Sequence, residues 1–131
     1  MIVAVDFDGI LAADDTPFPD IGTINYPVVK LVQSLEEDGH EVVLWTSRTG
    51  QALSSALTWC HYLGLKFCAI NDNAPSNKAK YSAVYPQGTR KVHADIYIDD
   101  HNPEFILNRK RYGYNAAIDI MIDQVKEVIR K

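Results

Sequence analysis

Ile2-Val3-Ala4-Val5-Asp6-Phe7-Asp8-Gly9 is the stretch from which the rest of the chain is read. Four apolar residues in a row, with no polar alternation, predict a strand covered on both faces, as in a parallel sheet. Two acids one residue apart follow at its end, and Gly9 then allows the backbone to turn sharply away.

Outward from this strand, short apolar runs alternate with amphipathic stretches. Residues 9–25 are rich in Asp, Pro, Gly and Thr and read as an irregular excursion. Val28, Leu31, Val32 and Leu35 recur at i, i+3, i+4, i+7, which predicts a helix from about Tyr26 to Asp38, with Gly39 as its stop. A second strand is expected over Glu41 to Thr46 and a second helix over Gly50 to Leu63. Lys66 to Ile70 reads as a third strand, 71–92 mostly as loop, and Ala94 to Ile98 as a fourth strand. A short helix from Pro103 to about Arg111 precedes a last one whose buried stripe is Ile118, Met121, Ile122, Val125, Val128 and Ile129. Strands alternating with helices imply right-handed crossovers, hence a three-layer, Rossmann-like α/β fold with a mainly parallel sheet, in one domain spanning 1–131.

Ligands of such sheets collect at the carboxyl ends of the strands. Those ends carry Asp6 and Asp8, then Thr46, Ser47 and Arg48, then Asn71, then Asp99, Asp100 and His101; Lys91 lies just before the fourth strand. Acids crowded at two strand ends repel unless a cation neutralises them, and hard carboxylate oxygens suit Mg²⁺. An Asp6 carboxylate at a strand tip can act as a nucleophile. Asp8 can donate a proton to a leaving group and then activate water. The Thr46 hydroxyl can bond a phosphoryl oxygen, Lys91 can offset developing charge, and Asp99 and Asp100 can complete a metal site.

This arrangement resembles the haloacid dehalogenase (HAD) superfamily over nearly the whole chain. Val-Ala-Val-Asp6-Phe7-Asp8-Gly9 resembles its first motif, Val-Val-Leu-Trp-Thr46 the second, Lys91 the third and Ile-Tyr-Ile-Asp99-Asp100 the fourth. The resemblance extends to small proteins of bacteria and phages through Gly39 to Arg48. It implies a Mg²⁺-dependent phosphatase working through an aspartyl-phosphate. It further implies metal binding by Asp6, the Asp8 carbonyl oxygen and one acid of the last pair, with Asp100 favoured and Asp99 in support. Ile10 departs from the usual Gly-Thr of the first motif, and His101 stands where related proteins often have Arg. Neither 9–25 nor 71–90 is long enough for a folded cap, so an open site is expected. Such a site admits a phosphorylated small molecule or a macromolecular end, including a nucleotide or a nucleic-acid end.

Other signals read two ways. Arg48 can fork onto a phosphate or form a surface ion pair; Asn71 can line the pocket or make a local turn. Lys78, Lys80, Arg90 and Lys91, with Tyr81 and Tyr85, form either a positive rim or a solvated loop. Two different classes of function use related chemistry: a phosphoacceptor signalling module, and a catalytically silent binding protein on the same fold.

Bulk properties bound these readings. Over 131 residues, 47% are hydrophobic and 23% charged, a globular balance. A net charge of −4 argues against generic nucleic-acid binding. Cys60 and Cys68 have no zinc or disulfide spacing and are expected as buried, reduced thiols. No apolar run approaches the roughly 18 residues that span a bilayer. No signal peptide is evident, and the expected compartment is the cytoplasm.

Overall fold

Burial of the central strands on both faces organises the molecule. A computed structural model describes residues 1–130 and has the elements β1 (Ile2–Val5), α1 (Tyr26–Glu37), β2 (Glu41–Leu44), α2 (Gly50–Tyr62), β3 (Ala69–Ile70), α3 (Pro75–Tyr81), β4 (Ile96–Ile98), α4 (Pro103–Tyr112) and α5 (Tyr114–Arg130). The strands form one sheet in the order β3-β2-β1-β4, with every pairing parallel. The predicted α/β class and parallel sheet are therefore observed.

Successive residues of β1 point to opposite faces and both faces are covered. Val3 and Val5, with Val42, Leu44 and Ile98, pack against α1, α2 and α5 through Val28, Val32, Ala56, Cys60, Ile118 and Ile122. Ile2, Ala4 and Val43 face the other way, under Ala74, Val92 and Ala94. Helices thus supply the larger core, while α3 and the segment leading to β4 cover the second face.

Local chemistry accounts for the boundaries. Pro27 sits in the first turn of α1, where its missing N–H costs no helical bond. The helix stops at Gly39, whose φ of +85° suits glycine, and the His40 N–H closes the end on the Leu35 carbonyl. The stretch expected mostly as loop contains α3, a helix with Pro75 in its first turn and no buried residue, so no apolar stripe marked it.

β3 is shorter than expected because Phe67 takes a left-handed φ of +38°. It is an edge strand, and Cys68 beside it is exposed, not buried as its apolar setting implied. The buried residues of α5 end at Val125, and Val128, assigned to the stripe, is exposed. Among the described residues no helix is long and apolar enough to cross a membrane.

The two thiols should therefore differ. Cys60 is buried, and burial, assisted by the Glu36 charge, pushes its thiol up to about 12. A thiol reagent at mildly alkaline pH should label one cysteine in the native protein, and Cys68→Ser should abolish that labelling. Rapid native labelling of both would contradict this packing.

Candidate active site

The sheet register brings the acids together. Val5 is paired with Ile98 on one side and with Leu44 on the other, so Asp6, Asp99 and Trp45 are the next residues on three adjacent strands. The Asp6 N–H donates to the Ile98 carbonyl at 2.9 Å, and the Trp45 N–H to the Val5 carbonyl at 2.8 Å, which fixes this edge. Asp6, Asp99, Asp100 and His101 each offer one ligand atom, all within 4.8 Å of one another, and could hold a metal ion.

The electrostatics of this cluster are unfavourable without a cation. Burial pushes the Asp6 carboxyl up to about 8, with the charge of Asp99 adding to the shift and Asp100 contributing further. Asp100 is raised as well, chiefly by burial. Its Oδ1 is buried and has no hydrogen-bond partner; His101 Nδ1 stands 3.0 Å away without hydrogen-bond alignment. An orphaned carboxylate oxygen beside two further acids is the donor set a divalent cation completes.

Gly9 is required twice over. Its φ is +85°, and a Cβ there would stand 2.2 Å from Asp100 Oδ2. The absence of a side chain lets the acid pair approach the β1 turn. The Tyr114 hydroxyl donates to the Gly9 carbonyl at 2.6 Å and so ties the turn to α5. No sequence signal pointed to Tyr114, which lies 105 residues away along the chain.

Asp8 points elsewhere. Its carboxylate accepts from Arg48 Nε at 2.7 Å and from Arg48 Nη2 at 2.8 Å, a fork along one edge of the carboxylate. Its side-chain oxygens lie outside the metal cluster, which leaves the expected Asp8 contribution to its backbone carbonyl. Arg48 is neither a phosphate ligand nor a surface ion pair, the two alternatives its sequence position offers. It is 1% exposed, and carbonyls take its remaining donors.

Thr46 lies at the end of β2, where its Oγ1 accepts from the Arg48 N–H at 3.1 Å, leaving the hydroxyl proton free. Asn71 is a scaffold residue: its Oδ1 accepts from the Thr46 N–H at 2.7 Å, its own N–H donates to the Leu44 carbonyl, and its φ is +52°. That geometry is the local-turn alternative, and it fixes where Thr46 stands. Ser47 is exposed.

Lys91 is not brought to the acids. β4 runs parallel to β1, so the chain enters it at the amino edge, where the Asp95 N–H donates to the Ile2 carbonyl. The acids sit at the carboxyl edge. Lys91 is exposed and lines a separate cavity of about 950 Å³ with Lys78, Tyr81, Tyr85 and Tyr97. Lys78 pairs with Asp72.

The raised Asp6 carboxyl sets the sign of a pH effect. Between its ordinary value of 3.8 and about 8, the folded chain holds a proton that the unfolded chain has released. Metal-free stability contributed by Asp6 is thus fully present below about pH 4 and falls as pH rises toward 8, by on the order of a few kcal/mol at most. Thermal melts in chelator should show a steeper loss from pH 5 to 8 for the native chain than for Asp6→Asn. Added divalent cation should raise Tm more at pH 8 than at pH 5. Parallel curves for the two proteins would contradict the crowding of these acids.

No known family's sequence profile and no curated protein matches the chain. A solved structure does, that of a conserved protein from Bacteroides thetaiotaomicron, at 32% identity and a TM-score of 0.65. The match covers 85% of this chain and 89% of the other. With that identity sustained over most of both chains, this protein belongs to the same family as the conserved Bacteroides thetaiotaomicron protein.

Proposed function

We propose that this protein is a Mg²⁺-dependent phosphomonoester hydrolase that works through an aspartyl-phosphate on Asp6. The observation that supports it most is the Asp6–Asp99–Asp100 cluster at one sheet edge, with Asp100 Oδ1 buried and unpartnered. The resemblance of the motif order to the HAD superfamily supports the same reading.

The acid-rich donor set fits Mg²⁺, with Asp6, Asp100 and the Asp8 carbonyl as ligands and Asp99 beside them. When bound, Mg²⁺ supplies the positive charge that lets these carboxylates remain ionised together and offsets charge on a phosphoryl group.

An Asp6 oxygen attacks phosphorus, forming an O–P bond as the bond to the leaving oxygen breaks and its electron pair departs with that oxygen. Asp8 delivers to the leaving oxygen a proton that it recovers from water in the second half of the cycle. The free Thr46 hydroxyl proton donates to a phosphoryl oxygen. Water then attacks phosphorus while Asp8 takes its proton, and Asp6 is released. Lys91 has no part in this scheme. Its stabilising role passes to the cation and to Thr46.

The site lacks a folded cover, since 9–25 contains no helix and 71–95 holds only α3 and β3-to-β4 connections. An open site suits phosphorylated small molecules and phosphorylated macromolecular ends alike.

Phosphorylated metabolites, nucleotides and nucleic-acid ends, each assayed with Mg²⁺ and with chelator, should include substrates that release phosphate only with the metal. Asp6→Asn should lower that release at least ~10³-fold while leaving the fold intact. Undiminished turnover in Asp6→Asn would remove the mechanism, and no release from any class would remove the function.

A further inference from the structure

The guanidinium of Arg48 is the largest polar group in the core, and all of its donors are used. Nε and Nη2 grip the two Asp8 oxygens. Nη1 donates to the Pro19 carbonyl at 2.9 Å and the Ala52 carbonyl at 3.2 Å, and Nη2 also donates to the Asp20 carbonyl at 3.2 Å. Phe7 and Phe18 contribute ring faces, with the guanidinium carbon 5.0 Å and 5.2 Å from their centroids. A buried cation is costly unless it is paired and fully bonded, and Asp8 is the carboxylate that pairs it.

We infer that Arg48 is a positioning residue that fixes the direction of the Asp8 carboxyl just past the end of β1, and that the 9–25 excursion helps to brace it. The inference rests on the proposed hydrolase function and deepens it. Three separate segments converge on one guanidinium: the β1 turn through Asp8, the excursion through Pro19 and Asp20, and the start of α2 through Ala52. The Arg48 N–H also donates to Thr46 Oγ1, so one residue orients both Asp8 and the Thr46 hydroxyl.

The fork occupies one edge of the carboxyl only. Asp8 keeps 41% of its side chain exposed, and each oxygen retains a further lone pair on the open side. The carboxyl is thus fixed in direction yet free to meet a leaving oxygen. Fixing that direction matters because proton transfer demands hydrogen-bond reach, and a displacement of about 1 Å can cost about 10²-fold. A phosphate could take Arg48 only by stripping these bonds, so its donors serve Asp8 and not the substrate.

Leaving groups separate this role from simple structural support. 4-Nitrophenolate departs readily without a proton, whereas phenolate from phenyl phosphate, with a phenol pKa of about 10, benefits from one. The two esters have nearly the same shape. Arg48→Lys keeps the charge but cannot fork. In this variant kcat/KM for phenyl phosphate should fall about 10- to 100-fold, and for 4-nitrophenyl phosphate about threefold or less.

Phe18→Ala removes an exposed ring over the guanidinium and should shift the ratio of the two esters in the same direction by about two- to fivefold. This variant decides the matter if Arg48→Lys does not fold. Equal losses on both esters, or an unchanged ratio in the folded variants, overturn the positioning role and leave the hydrolase function standing. A wild-type protein that releases phosphate from neither ester, nor from any metabolite, nucleotide or nucleic-acid end, overturns the function and this inference together.

Discussion

Like charges held at the ends of two paired strands are the constraint around which this molecule is arranged. The β1–β4 register leaves Asp6 and Asp99 no freedom to separate, because each is the next residue after a hydrogen-bonded pair. The acids cannot relax into water either, since Asp6 is half-buried and Asp100 lies against Gly9. Fold stability therefore holds together a group of carboxylates that would otherwise disperse. Strained groups of this kind gather at functional sites, where a ligand or ion relieves them.

The surrounding architecture serves the same edge. Parallel pairing places every strand's carboxyl end on one side, so a short sheet of four strands is enough to assemble residues from distant parts of the sequence. Tyr114 ties the β1 turn to α5, Asn71 holds the end of β2, and Arg48 joins the excursion to Asp8. Each uses a polar side chain on backbone carbonyls or N–H groups of a loop, which fixes loops that carry little regular structure of their own.

The sequence disclosed the parts governed by apolar period and strand order. The unbroken run of β1, the stripe of α1 and the acids after β1 and β4 were all legible, because burial on both faces and glycine stops leave local marks. Arg48 was misread because a buried arginine and a surface arginine look alike without their partners; Asp8 is 40 residues away. Lys91 lines a cavity whose walls include none of the clustered acids, and irregular chain over 92–95 separates it from β4, so strand order did not fix its place. Asn71 and Tyr114 act through backbone contacts that no spacing rule encodes, and α3 buries nothing, so it left no periodicity to detect. His101 was legible by position as a neighbour of the site, and the structure brings it to 3.0 Å from Asp100.

The central claim is that Asp6 and the acid pair after β4 together form a single divalent-cation site. Titration of the folded protein with Mn²⁺, followed by electron paramagnetic resonance, tests it most directly. The account predicts one bound ion per chain, displaced by Mg²⁺ and lost in both Asp6→Asn and Asp100→Asn. Undiminished binding in either folded variant would show that the two strand ends do not share an ion, and the account would fail.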